Sequence, residues 1–98
     1  MSLFVIVGFD VKDSAAKRAA NRSLHLAHWD ALDQAGKIRF GGPLRDEPGE
    51  NSIGSVIVFE AASLEEARRI AHADPYVKAG VFADLRVHPT KPVYPKQP

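Results

Sequence analysis

Ser52-Ile53-Gly54-Ser55-Val56-Ile57-Val58-Phe59-Glu60 runs through Ala61-Ala62 into Ser63-Leu64-Glu65-Glu66, and this junction decides the fold. Val56 to Phe59 are apolar at consecutive positions and β-branched or aromatic, the composition of a strand shielded from water on both faces. Ser63, followed three residues later by Glu66, makes a capping box, in which the hydroxyl accepts from the Glu66 N–H while the carboxylate reaches back. A strand therefore hands over to a helix at Ser63. That helix runs to about Ala73, because Pro75 disfavours helical geometry at Asp74.

Upstream, Leu3 to Phe9 is a second apolar run rich in Val, Ile and Phe, closed by Gly8 and Asp10. Asp13 and Ser14 offer an N-cap, since either side-chain oxygen can take a free helix N–H. From Ser14 to Ala35 there is neither Pro nor Gly. Ala16, Ala20, Leu24, Ala27, Ala31 and Leu32 recur at helical intervals and mark an amphipathic stripe. Gly36 is the expected C-cap, because glycine takes the left-handed conformation without strain. Lys37 to Leu44 holds a shorter strand around Ile38-Arg39-Phe40 that continues into Gly41-Gly42-Pro43. Arg45 to Asn51, with Pro48 and Gly49, reads as a hairpin loop back to Ser52. Downstream, Val81 to His88 forms a fourth strand. Residues 91–98 form a Pro-rich tail with no core of its own.

The order is β-α-β-β-α-β, the split βαβ pattern of a ferredoxin-like α+β domain. It predicts a four-stranded antiparallel sheet with both helices on one face. The first and third strands nevertheless carry apolar residues on both faces, and an apolar sheet face of that extent is rarely left in water. A second copy of the sheet stacked against it would cover it, so a homodimer through the sheet face is expected.

Composition narrows the function. With 98 residues the chain is one domain, and 45% apolar content suits a globular core. The net charge is +1 and the basic residues are dispersed, so the clustered cationic face needed for nucleic acid is missing. The chain has no cysteine, which removes disulfide and thiolate chemistry. The apolar run at residues 3–9 is too short for a signal peptide core or a membrane span, so a cytoplasmic protein without membrane contact is expected. Gly41-Gly42-Pro43 is followed by no Lys-Ser/Thr and opens no helix, so it is no phosphate-binding loop. No cofactor is expected.

Arg22-Ser23-Leu24-His25-Leu26 resembles the R-x-x-H-L segment of the YCII-related family. Gly42-Pro43, Gly54-Ser55, Asp74-Pro75-Tyr76 with Ala79-Gly80-Val81, and Val87-His88-Pro89 resemble that family's later segments in the same order. The resemblance places a YCII-related domain over residues 1–90. It implies a dimeric α/β barrel, with a pocket between sheet and helices that contains a His and an Asp. By position these are His25 and Asp74. Some family members act as dehalogenating or lyase-type enzymes on chlorinated aromatic compounds, and muconolactone isomerase has a similar barrel. His28, one turn after His25, lies outside the family pattern.

Residue by residue, His25 suits general acid–base work because imidazole titrates near neutral pH. Asp74 would orient it, and before Pro75 it is also a natural N-cap for a new short turn. Arg22 could hold an acidic substrate, although an arginine on a helix surface is the ordinary alternative. Gly42 and Pro43 could form the pocket rim or simply a strand irregularity. Ser55 could donate a hydrogen bond into the pocket. Trp29 and Tyr76 read as packing residues, each with a polar handle that could touch a ligand. His25, His28, His72 and Asp74 have metal-binding chemistry, but their spacing is weak and thiolates are lacking, so no metal is expected. His28 and His72 read as solvated surface residues. The expected function is cofactor-independent acid–base chemistry of the lyase, dehalogenase or isomerase type on a small cyclic or aromatic acid. The alternatives are a non-catalytic dimer that binds such a molecule, and a purely structural dimer with His25 and Asp74 apart in solvent.

Overall fold

The computed structural model describes residues 2–96. Strands β1 (Ser2–Asp10), β2 (Ile38–Arg45), β3 (Ser52–Ala61) and β4 (Phe82–Thr90) form one four-stranded antiparallel sheet in the order β2-β3-β1-β4. Helix α1 (Ala15–Gln34) links β1 to β2, and α2 (Leu64–His72) follows β3. A one-turn helix, α3 (Pro75–Lys78), stands between α2 and β4 and extends the β-α-β-β-α-β order. Asp74 starts it by accepting the Tyr76 N–H, with Pro75 at the first helical position, where its missing N–H costs nothing. Met1, and Gln97 and Pro98 at the end of the expected tail, lie outside the described residues.

The strand order explains where proline is tolerated. Pro43 lies in β2 and Pro89 in β4, and these are the two edge strands, where a missing ladder donor is cheapest. Central strands β1 and β3 pair in continuous register from Ser2 opposite Ala61 to Phe9 opposite Gly54. Their alternate residues Phe4, Ile6, Ile57, Phe59 and Ala61 are buried together with Trp29 of α1 and Ala67 and Ala71 of α2. Leu85 and Val87 of β4 pack against this cluster. The other alternation places Leu3, Val5, Val7, Val56 and Val58 on the opposite face, where they are only half-buried, and Phe9 at its end is 47% exposed. No helix among the described residues is long and apolar enough to cross a membrane.

The capping box at Ser63 forms with a small displacement. Ser63 Oγ accepts the Glu66 N–H at 3.1 Å, while Glu66 Oε1 accepts from the Ala62 N–H at 3.2 Å, one residue earlier than the usual return contact. Gly36 takes φ 73° just past α1, as its C-cap role requires.

Two expectations for α1 fail. Ser14 occupies the N-cap position, but its backbone is helical (φ −74°, ψ −11°) instead of extended and its side chain caps nothing; its hydroxyl donates to Asp10 Oδ2 at 2.6 Å. The Ala16-Ala20-Leu24-Ala27-Ala31 stripe is not the face that α1 turns inward: Leu24 is 60% exposed and these alanines are exposed with it. The inward residues are instead Ser14, Arg18, His25, His28 and Trp29, with Leu32 half-buried. Their polar groups find partners on β1, α2 and the residues around α3, which removes the usual cost of burying them.

Candidate active site

A cleft of about 750 Å³ lies between the inward face of helix α1 and strands β2 and β3 of the sheet. Arg18, Arg22, His25 and Trp29 line it from the helix, Gly42 and Pro43 from β2, Ser55 and Ile57 from β3, and Tyr76 from α3.

His25 and Asp74 meet at the cleft floor. Imidazole Nδ1 lies 2.8 Å from Asp74 Oδ1 and 2.9 Å from Oδ2. The side chains are 13% and 5% exposed, respectively. The arrangement in which the two residues sit apart in solvent therefore does not occur. An ionised carboxylate only accepts, so Nδ1 carries the proton and donates it. In the neutral imidazole Nε2 then keeps its lone pair, and Nε2 has no hydrogen-bond partner among the described residues. Among the described residues no buried side-chain nitrogen or oxygen lacks a partner, so Nε2 reaches open space, and His25 lines the cleft.

Asp74 is held from two further directions. Trp29 Nε1–H donates to Oδ2 at 2.9 Å, and the Tyr76 backbone N–H donates to Oδ1 at 2.9 Å. Burial alone would raise this carboxyl. The hydrogen bonds from His25, Trp29 and Tyr76 outweigh it and hold Asp74 below the usual carboxylate range. The Asp74 cap expected from Asp-Pro and the pairing with His25 thus coexist on one carboxylate.

A second cluster flanks the first. Arg18 Nε and Nη2 donate to Asp10 Oδ2 and Oδ1 at 2.7 and 2.9 Å, a bidentate pair. Arg18 Nη2 also donates to the Gly54 carbonyl at 2.9 Å and to Ser55 Oγ at 3.0 Å. Hydrogen bonding to Asp10 raises the Arg18 guanidinium above its ordinary value, against the opposing effect of burial, and the nearby Tyr76 adds to the rise. The guanidinium lies 5.2 Å from the Tyr76 ring centre and 5.9 Å from that of Phe82. Gly54 is required here: a Cβ at that position would strike the Gly8 carbonyl on the neighbouring strand.

The expected residues divide as follows. Arg22, His25, Gly42, Pro43, Ser55 and Tyr76 all border the cleft, with Asp74 buried directly behind His25. Arg22 is exposed at the mouth. Ser55 is buried and accepts from Arg18. His72 is exposed, but His28 is not the solvated residue expected from sequence: its Nε2–H donates to the Ile70 carbonyl at 2.8 Å and ties α1 to α2. Among the described residues no three His, Cys, Asp or Glu side chains gather as metal ligands. Sequence reasoning gave Asp10 only as the end of the first strand, did not single out Arg18, and read Trp29 as a packing residue with a polar handle. The available signal was the spacing of Arg18, Arg22, His25 and Trp29, at intervals of four, three and four residues, which places them on one helix face.

The chain matches the model of the YCII-related domain over residues 2–91. It is 39% identical to the protein YciI of Escherichia coli over 97 residues, covering 94% of this chain and 99% of that one. It is 36% identical to an uncharacterised protein of Haemophilus influenzae over 96 residues, covering 93% and 98% of the two chains. Among solved structures it resembles a 5-chloro-2-hydroxyhydroquinone dehydrochlorinase of Burkholderia phenoliruptrix, in complex with 2,5-dihydroxybenzoquinone. The TM-score is 0.81 and the identity 33%, over 91% of this chain and 93% of that one.

Proposed function

The chain belongs to the YCII-related domain family, and on that premise we propose that it is a cofactor-independent acid–base enzyme of the lyase, dehalogenase or isomerase type, acting on a small cyclic or aromatic acid. The observation that carries this reading is the state of His25. Its Nδ1–H is clamped by a carboxylate with three separate donors, and its Nε2 lone pair opens on the cleft. A base fixed in tautomer and direction contributes roughly 10²–10⁴ in rate.

For a halogenated hydroxyaromatic substrate the steps balance without an outside oxidant or reductant. A proton moves from a ring hydroxyl to the carbon bearing the halogen. Removal of a second hydroxyl proton by Nε2 forms a carbonyl, and halide departs with the carbon–halogen electron pair. The net loss is a proton and a halide ion. Without a leaving group, the first proton transfer alone, from a ring oxygen to a ring carbon, is an isomerisation and needs no second deprotonation. Arg22 at the mouth is placed to meet an acidic substituent, while Gly42, Pro43, Ser55 and Tyr76 supply the walls. The similarity to a dehydrochlorinase supports a ring of this class.

The functional unit in this reading is a homodimer. The half-buried face of Leu3, Val5, Val7, Val56 and Val58 is the surface that a second sheet would cover.

The test is halide release and ring absorbance with 5-chloro-2-hydroxyhydroquinone as substrate, for the wild type and His25→Gln. Turnover that falls at least about a hundredfold in the variant supports the reading. Saturable binding without turnover in the wild type would replace it with a non-catalytic binding dimer.

A further inference from the structure

His25 Nε2 is not the only unengaged polar atom in the cleft. The Arg18 guanidinium spends Nε and Nη2 on Asp10, Gly54 and Ser55, and its Nη1 has no partner among the described residues. The Tyr76 hydroxyl makes no hydrogen bond within 3.5 Å among them; it lies beside the Arg18 guanidinium, which it helps to raise, and the residue is only 3% exposed. Neither atom is a buried orphan, so both reach open space, and both residues line the cleft that contains His25. The three side chains form one stack: the His25 ring lies 3.8 Å from the Tyr76 ring and parallel to it within 5°, and the guanidinium stands 5.2 Å from that same ring.

From this geometry we propose that Arg18 Nη1–H and the Tyr76 hydroxyl form an oxyanion site that selects rings carrying an ionised hydroxyl or enolate oxygen. The inference deepens the acid–base reading and rests on the cleft being a ligand site. Asp10 already neutralises the guanidinium, so the site attracts by two directed donors and not by net charge. Asp10 also fixes the plane of the guanidinium, so no rotamer freedom is lost when a ligand arrives. As His25 removes a proton, negative charge builds on a ring oxygen, and donors already aimed at that position stabilise it. The Arg18 bonds to β1 and β3 also hold the fold together. Stability alone therefore cannot distinguish the two roles, and ligand discrimination can.

The experiment measures binding of 2,5-dihydroxybenzoquinone and of its dimethyl ether by quenching of Trp29 fluorescence. The proteins are the wild type, Tyr76→Phe and Arg18→Lys. The wild type binds the ionisable quinone at least about tenfold more tightly than the ether, the effect of a hydrogen bond to a charged group. Tyr76→Phe keeps the ring stack and the fold, yet that preference shrinks to about twofold or less. Arg18→Lys keeps the charge beside Asp10, loses the planar fork, and shrinks it likewise. If Arg18→Lys fails to fold, Tyr76→Phe decides alone. Absence of wild-type binding or preference, or a Tyr76→Phe protein that keeps the preference, overturns the oxyanion site. A wild type that discriminates but turns nothing over retains the oxyanion site and overturns only the acid–base reading.

Discussion

The imidazole of His25 lies flat on the phenol ring of Tyr76, centroids 3.8 Å apart and planes 5° from parallel, although one residue comes from α1 and the other from α3. Asp74 stands immediately before α3 and bonds both the His25 ring and the Tyr76 backbone. The start of the short helix therefore fixes the His25 imidazole from two directions, through a hydrogen bond to its edge and a stacked ring on its face.

Replacing Asp74 by Asn tests the first of these. The amide has one acceptor oxygen and a donating nitrogen, so it cannot receive His25, Trp29 and Tyr76 N–H together. Asp74→Asn should lower unfolding free energy by about 1–3 kcal/mol. Turnover should fall by roughly 10²–10⁴ as the imidazole loses its fixed tautomer. Urea unfolding and the halide-release assay measure the two effects, and full activity in this variant would sink the dyad.

Trp29→Phe removes one donor from Asp74 and leaves most of the packing against Phe59. A loss of about 1.5–3 kcal/mol is expected, from the removed hydrogen bond to an ionised carboxylate, since Oδ2 keeps only its contact with His25 Nδ1 at 2.9 Å. The urea midpoint should drop with an unchanged m-value. A midpoint equal to that of the wild type would mean that the indole N–H contributes nothing to the carboxylate.

Acid stability follows from the direction in which Asp74 is displaced. Its folded carboxyl lies below the ordinary value of 3.8, so in that window the unfolded chain binds more protons than the native one. Its contribution is complete above the ordinary value and is lost as pH falls through the folded value. Unfolding free energy measured from pH 6 downward should decline on this limb, and less steeply in Asp74→Asn. Asp46, lowered by its bonds to Asn51, titrates in both proteins and leaves the difference intact. Identical acid limbs would contradict the assignment.

Gly54→Ala should be among the most damaging small substitutions. Its Cβ would meet the Gly8 carbonyl, backbone that cannot swing aside, and Leu44 Cδ1 at 3.0 Å. Moving β1 from β3 also displaces the Gly54 carbonyl that accepts from Arg18. Thermal unfolding should report a loss of about 1–3 kcal/mol or more. Gly36→Ala, with nothing within 4 Å, should cost only the strain of its positive φ.

Val56→Lys places a charge in the middle of the uncovered sheet face, opposite Val7. In the proposed homodimer it buries an unpaired ammonium, so sedimentation should show a folded monomer where the wild type is dimeric. A variant that sediments like the wild type removes this face as the interface.

The sequence by itself determined what local chemistry settles. The capping box at Ser63, the Asp74-Pro75 start of a new turn, Gly36 after α1 and the apolar runs of β1 and β3 fix element order, because each depends on neighbours within a few residues. The His25–Asp74 partnership was legible through the family resemblance, and the geometry joins the two residues. Which face of α1 turns inward was not legible. Two stripes compete on that helix, Ala16-Ala20-Leu24-Ala27-Ala31 and Arg18-Arg22-His25-Trp29, and hydrophobicity favours the first. The tertiary structure chose the second, because Asp10 on β1 and Asp74 before α3 supply the partners that make a guanidinium, an imidazole and an indole N–H stable out of water. Asp10 lies 8 residues from Arg18, whereas Asp74 lies 49 from His25 and 45 from Trp29, and only the folded chain brings the distant partner within reach.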